Sequence, residues 1–276
     1  MTGKVPSPSK QSTDRRSVDG VSPRFGFDPP LALASLSGRS DAEWARAGAP
    51  FAGAAFLGGI ALDEDAREGA QALVERGREE FLPPTPLEFV DAQLAALENV
   101  PILAGFNVRS STVEPLSSVA RICQDRDAIL EINAHCRQPE LCAVGCGETL
   151  LRDTDRLCEY VLRAAETGAT VGVKVRTEID GVDLPSLASA IEVAGAAFVH
   201  VDAMDSEHVV REVVDACDLF VIANNEVRDE ASVREYLEYG ADAVSVGRPS
   251  DDPVVLERVS TALQSALADG RRSHHH

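Results

Sequence analysis

Lys174 and Cys136 are the two side chains in this sequence best suited to chemistry. The chain has 26 basic residues, yet lysine appears only at Lys4, Lys10 and Lys174. Arginine serves everywhere else. A folded position that keeps lysine calls for what arginine does not offer, a compact ammonium on a flexible stem. Lys174 also falls inside the β-rich run Thr-Val-Gly-Val-Lys-Val-Arg at 170–176. A charge in mid-strand is costly unless it faces a partner or a ligand. Cys136 ends another apolar run, between His135 and Arg137. A thiol flanked by basic side chains suits reactivity more than packing. Each residue also has a plain structural reading, a spared lysine in an ion pair and a cysteine acting as a small hydrophobe.

These residues need elements to position them. Short apolar, β-rich runs recur at 31–36, 54–60, 101–108, 128–134, 170–176, 196–202, 219–224 and 243–247. Most are followed by an amphipathic segment, as at 154–167, 184–194, 207–216, 232–239 and 253–268. Gly168, Gly195 and Gly240 stand where helices should stop before the next strand. Near-continuous apolar strands alternating with helices predict a parallel sheet covered by helices. Eight such units in one chain of this length predict a single-domain α/β fold, the closed (β/α)8 TIM barrel. An open doubly wound sheet is the alternative, but no Gly-x-Gly-x-x-Gly follows the first strand. In a barrel the site lies at the C-terminal strand ends. There the sequence places Ser35, Leu36 and Ser37, Asn107 and Arg109, Asn133 with His135 and Cys136, Lys174 and Arg176, His200 and Asp202, Asn224 and Asn225, and Gly247 with Arg248. The last two pairs follow strands seven and eight, where barrels commonly hold phosphate.

Composition narrows the function. A net charge of −19 with almost no lysine is the pattern of a protein working in concentrated salt. At about 1 M salt the screening length is roughly 3 Å and such self-repulsion is tolerable. In dilute buffer the same charge opposes nucleic acid. No run of 18 apolar residues and no apolar segment after the basic N-terminus are present, so a cytoplasmic protein without a membrane span is expected. The six cysteines are expected as free thiols. Cys136, Cys142, Cys146 and Cys158 contain no Cys-x-x-Cys pair, so no metal site is expected. Residues 1–28 are read as a flexible tail, 29–270 as the barrel and 271–276 as a disordered end. The terminal histidines are left out of metal arguments.

Several runs together resemble the flavin-dependent tRNA-dihydrouridine synthase family. Glu131-Ile-Asn-Ala-His-Cys136, then Gly145-Cys-Gly-Glu-Thr-Leu-Leu151, resembles its Asp-(Ile/Leu)-Asn-x-Gly-Cys-Pro strand end and following Gly-rich segment. Leu33-Ala-Ser-Leu-Ser-Gly38, Val173-Lys-Val-Arg176, Val221-Ile-Ala-Asn-Asn225 and Val244-Ser-Val-Gly-Arg248 match further family stretches in order. The resemblance implies an FMN-binding barrel that reduces the 5,6 double bond of uridine in tRNA, with NADPH or NADH as electron donor. Cys136 then stands at the family's catalytic cysteine. A thiol suits proton donation, because the ordinary thiol pKa of about 8.5 leaves it protonated at neutral pH. Lys174 and Asn133 join it as catalytic residues. Ser35, Leu36, Ser37, Asn107, Lys174, His200, Asn224, Asn225, Gly247 and Arg248 are the implied cofactor contacts. Asn133, His135 and Arg176 are the implied substrate contacts.

The chain also departs from the family pattern. Gly-Cys-Pro reads His135-Cys136-Arg137, and His-x-Arg reads His200-Val-Asp202. The strand-three glutamine falls at Gly105 unless Asn107 replaces it. Only residues 249–276 follow Arg248, too few for the family's tRNA-gripping helical domain, whose place a homo-oligomer or a partner subunit would have to fill. Two alternative functions therefore stand beside tRNA uridine. One is flavin chemistry on a small heterocycle such as dihydroorotate, a free pyrimidine or a pterin. The other is a non-redox barrel that binds a phosphorylated ligand.

Overall fold

The computed structural model describes residues 25–273, with side chains through Asp269. Eight parallel strands close in chain order: β1 Leu31–Leu33, β2 Ala54–Ala61, β3 Leu103–Arg109, β4 Ile129–Asn133, β5 Thr170–Arg176, β6 Phe198–Asp202, β7 Phe220–Asn224 and β8 Ala243–Val246. β8 pairs back onto β1, so no strand edge is left open. The fold is the single-domain (β/α)8 TIM barrel expected from the alternation of apolar runs and amphipathic segments. β1 stops three residues short of its expected end. Beyond Ala34 the Leu36 N–H donates to Ser40 Oγ at 2.8 Å and turns the chain out of the sheet.

The barrel is wrapped by α1 Ala42–Gly48, α2 Glu64–Glu75, α3 Pro86–Ala95, α4 Glu114–Asp125, α5 Pro139–Ala143, α6 Thr154–Ala165, α7 Leu184–Val193, α8 Val209–Ala216, α9 Glu230–Glu238 and α10 Pro253–Ser273. Asp41, Asp63, Asp153, Asp183 and Asp229 cap α1, α2, α6, α7 and α9 through backbone N–H groups. Such carboxylates satisfy orphan donors and complement the helix dipole, which gives part of the acidic composition a structural purpose. No helix among the described residues is long and apolar enough to cross a membrane.

Two apolar regions hold the structure. Strand faces turned outward pack against the helices in one large buried cluster. Inside the barrel, Ala32, Ala54, Phe56, Ile129, Phe198, Phe220, Ile222 and Ala243 fill the N-terminal half. The Phe25 ring stacks on Phe198 at 5.2 Å and meets Phe220 at 5.3 Å, closing the floor with Phe27. Residues 25–28, expected within the flexible tail, thus belong to the packed body, and aromatic burial is the reason. At the other end α10 runs on through residues 271–273 of the expected tail. Residues 1–24 and 274–276 lie outside the described residues. Gly172 on β5 makes room for this packing, since a Cβ there would lie 2.4 Å from the Phe198 ring.

Strand periodicity does the rest. Above the apolar floor the inner face carries Asn107, Glu131, Asn133, Lys174, His200, Asn224 and Ser245, all buried. Register places Asn107 beside Glu131, Asn133 beside Lys174, Lys174 beside His200, and Asn224 beside Ser245.

Candidate active site

A buried carboxylate organises the barrel interior. Glu131 has no exposed surface, so its charge requires partners. Asn107 Nδ2 donates to Glu131 Oε1 at 2.6 Å, and His200 Nδ1 lies 2.6 Å from Oε2. Burial pushes the carboxyl upward, but His200, Lys174 and the hydrogen bonds outweigh it, and the group is held below its ordinary range. Burial drives the His200 pKa down, with Lys174 adding to the effect and Glu131 opposing it, and the balance stays below the ordinary imidazole value, which favours the neutral ring. The neutral ring fixes the proton order. His200 Nδ1–H donates to Glu131, and Nε2 accepts from Ser245 Oγ at 2.7 Å. Ser245 in turn accepts from Asn224 Nδ2 at 2.6 Å. On the other side Asn133 Nδ2 donates to Asn107 Oδ1 at 2.9 Å. Two arms of donors, drawn from β3, β4, β6, β7 and β8, thus converge on one carboxylate.

The network ends at the cysteine loop. Asn133 Oδ1 accepts the backbone N–H of Cys136 at 3.0 Å and of His135 at 3.2 Å. The Cys136 carbonyl accepts from the Glu148 N–H at 2.9 Å. That approach depends on Gly147, whose φ is +63° and whose added Cβ would lie 2.1 Å from the Cys136 oxygen. The Cys136 loop is therefore pinned on both sides. All six cysteines are free thiols. Burial pushes Cys142 up to about 11 and both Cys123 and Cys146 up to about 12, which makes them poor nucleophiles.

The barrel mouth holds unusual unmet polarity. Lys174 is 2% exposed, and its ammonium, which acts on the Glu131 carboxylate through space, makes no direct side-chain hydrogen bond or ion pair among the described residues. Around it stand Arg109, bound to Glu80 at 2.6 Å and donating to Ser37, and Arg176, bound to Glu148 at 2.7 Å. His135 Nε2 lies 3.6 Å from Asp202 Oδ2. Arg109 Nε, Arg176 Nε, His135 Nδ1 and Asp202 Oδ1 are buried without a partner. Buried polar atoms are nearly always paired, and four of the seven described side-chain atoms that lack a partner gather at this mouth, a concentration that suits a ligand-binding region. At Gly247, after β8, a Cβ would meet nothing within 4 Å, leaving open space beside the backbone. An ammonium without a direct hydrogen bond, spare donors on two arginines and an open glycine turn fit a flat, anionic, phosphate-bearing cofactor.

The sequence-derived residues do not all land where the resemblance put them. Asn133, Lys174, His135, Cys136 and Arg176 converge on the mouth. Ser35, Leu36 and Ser37 line its β1 side, with Ser37 tied to Arg109. His200 has both ring nitrogens engaged beneath the mouth, so it orders Glu131 instead of offering a ring nitrogen to a cofactor. Asn107 is engaged in the same way. The Asn224 amide turns inward to Ser245 and not toward a phosphate, because Ser245 is its register partner. Asn225 adopts φ +112° and donates to the Met204 carbonyl, while Arg248 is exposed after β8. Glu131, Ser245, Glu80 and Glu148 are site residues that the sequence reading did not single out, whereas Asp202 was already placed at the mouth as the end of strand six. Glu131 and Ser245 carried one signal, polarity at inward positions of otherwise apolar strands.

The two depressed histidines give a stability prediction. Burial lowers His135 well below its ordinary value, helped by Lys174, His200, Arg109 and Arg176. Below about pH 6.5 the unfolded chain takes up protons that the folded rings refuse. Stability should fall as pH drops from there toward each folded pKa, by about 1.4 kcal/mol per pH unit per histidine. Glu131, with its lowered pKa, adds a further loss only in the more acidic window beneath the carboxylate range. Denaturant titrations between pH 7.5 and 5, in constant salt, should show this slope in wild type and a shallower one in His135→Gln. A flat profile contradicts the neutral-ring assignment.

Comparison with known proteins agrees with the geometry. A family model described as dihydrouridine synthase matches residues 92–271. A protein of Methanocaldococcus jannaschii, described as uncharacterized, is 27% identical over 238 residues, covering 80% of this chain and 89% of that one. Among solved structures, FabK from Thermotoga maritima aligns with a TM-score of 0.52 at 17% identity, over 80% of this chain and 58% of FabK. The chain therefore spans a little over half of FabK. Thiamine phosphate pyrophosphorylase from Pyrococcus furiosus aligns with a TM-score of 0.51 at 12% identity, over 86% of this chain and 96% of that one. At these identities both structures share the barrel and no finer property.

Proposed function

The chain belongs to the dihydrouridine synthase family, and on that premise we propose that it is an FMN-dependent oxidoreductase that reduces the 5,6 double bond of a uracil-type ring. The observation that carries this reading is Lys174, a 2% exposed lysine at the mouth of the barrel whose ammonium makes no direct hydrogen bond or ion pair, and whose register neighbour Asn133 holds the Cys136 loop. Ser35–Ser37, Lys174, Gly247 and Arg248 would hold the cofactor. Bound and reduced, FMN supplies the hydride that goes to C6 of the ring.

The remaining steps belong to the chain. The Cys136 S–H bond breaks and its proton goes to C5, so hydride and proton together saturate the double bond. The thiolate left behind is reprotonated from solvent, which reaches the half-buried Cys136 loop. Lys174 stands where negative charge accumulates and would offset it from inside the barrel mouth. Asn133 holds the Cys136 backbone so that the thiol keeps one position. NADPH or NADH is the expected reductant.

Family resemblance makes tRNA uridine the first substrate to test, but one feature favours a free ring. Beside the mouth, Arg176 shares a hollow of about 430 Å³ with Glu178, Asp180, Asp183 and Glu212. Four carboxylates around one arginine repel a phosphate backbone. The test is anaerobic incubation of the FMN-loaded protein with NADPH and either unmodified tRNA or free uridine, in molar salt, with mass spectrometry of the nucleosides. A gain of two hydrogens in uridine from either source supports the reductase. Unchanged nucleosides in both reactions, with fully reduced flavin, sink it.

A further inference from the structure

Asp202 ends β6 at the level where Arg176 ends β5 and Asn224 ends β7. Arg176 does not pair with this neighbour, because its guanidinium is taken by Glu148. Asp202 therefore keeps an open carboxylate at the mouth. Its Oδ2 lies 3.6 Å from His135 Nε2, which is too long for a hydrogen bond, and its Oδ1 is buried without any partner. His135 Nδ1 is also buried and unpaired, one residue before Cys136.

The atoms themselves define the missing ligand. A carboxylate oxygen only accepts hydrogen bonds. Burial, reinforced by Lys174, His200, Arg109 and Arg176, holds the His135 ring well below its ordinary pKa, which favours the neutral form. A neutral ring places its single N–H toward the carboxylate, since the other tautomer would set a lone pair against Asp202 Oδ2. Nδ1 is then an acceptor too. Two unmatched acceptors beside the reactive thiol require donors from outside, and leaving them unmet costs about 1–3 kcal/mol each.

We propose that Asp202 and His135 form an acceptor pair that reads N–H donors on the edge of a free, small heterocyclic substrate, the lactam N–H of a uracil-type ring being the simplest case. The inference rests on the flavin reading above and specifies which substrate that site takes. Asp202 fixes specificity through direct contact with the ring. His135 supplies the second acceptor. A ring carried on a polynucleotide is disfavoured by the same carboxylate, by the acidic hollow next to it and by a net charge of −19.

The experiment titrates FMN-loaded wild type and Asp202→Asn with uridine and with 3-methyluridine, reading the perturbation of the visible flavin spectrum and, separately, calorimetric heat. Wild type should bind uridine at least about 10-fold more tightly than 3-methyluridine, since methylation removes the donor. Asp202→Asn should weaken uridine by about 10–100-fold and erase the discrimination, with FMN content and unfolding midpoint unchanged. Equal binding of the two nucleosides by wild type overturns the proposal. So does a wild type that holds FMN but binds no uridine, or an Asp202→Asn variant that loses FMN and stability along with uridine, which would make Asp202 structural. A wild type that takes up no FMN overturns the flavin reading itself, and the two failures are thereby distinguished.

Discussion

Cys136→Ala should lower the rate of ring reduction by about 10²–10⁴-fold, the usual contribution of a positioned general acid. The loss should be confined to one half of the catalytic cycle. Reduction of bound FMN by NADPH does not use the thiol, so its rate and the flavin content should stay within a factor of about two. Ring reduction measured in single turnover from pre-reduced enzyme should carry the whole defect. Cys136→Ser is a sharper test, because it keeps the shape of the loop while replacing the thiol with a far weaker acid. It should be nearly as slow as alanine. The Asn133 and Glu148 contacts that hold this loop are made by the Cys136 backbone, so neither substitution should disturb them. A Cys136→Ala variant with wild-type single-turnover rates would remove the cysteine from the mechanism.

Glu131→Gln should be the most destabilising isosteric change in the barrel interior, at about 3 kcal/mol. The carboxylate accepts from two sides, Asn107 Nδ2 and His200 Nδ1. A glutamine offers one oxygen and one NH2 group, so a donor must face a donor on one side. The His200 ring can relieve this only by changing tautomer, which breaks its bond with Ser245 or forces Ser245 to reverse its own. The substitution also leaves Lys174 without a nearby counter-charge. In a chain of this size the thermal midpoint should fall by roughly 6–12 °C. Measurements belong in molar KCl, where the high negative charge is screened. His200→Asn should be strongly non-additive with Glu131→Gln, because both changes break one network. A midpoint shift of less than about 1 °C for Glu131→Gln would show that the carboxylate is not the organising group.

The barrel was legible from the sequence for a simple reason. Strands buried on both faces read as continuous apolar runs, and runs such as 170–176 and 219–224 stand out between polar helices. Lys174 was legible because it breaks two patterns together, the near-absence of lysine and the apolarity of its strand. The Cys136 loop was legible because its residues are adjacent in the chain. The Glu131 network was not, because His200, Ser245 and Asn224 meet Glu131 only when β4, β6, β7 and β8 curve round a closed sheet. Sequence order offers no sign that residues 131 and 200 touch. Asn224 shows the same limit in reverse. Its place before a turn suggested phosphate, but strand register gives its amide to Ser245. Phe25 and Phe27 were hidden within a polar stretch, since two aromatics make no periodic pattern until there is a barrel floor to cover.

The central claim is that Lys174 waits at the mouth for a flavin. The most direct measurement is uptake of FMN by the purified chain in molar KCl, read from the visible flavin absorbance that stays with the protein after dialysis. The account predicts one FMN per chain for wild type. It also predicts affinity weakened by about 10–100-fold in Lys174→Met, since the ammonium that would face the flavin is lost. A wild type that stays colourless after incubation with excess FMN, or a Lys174→Met variant that binds FMN as tightly as wild type, would contradict it.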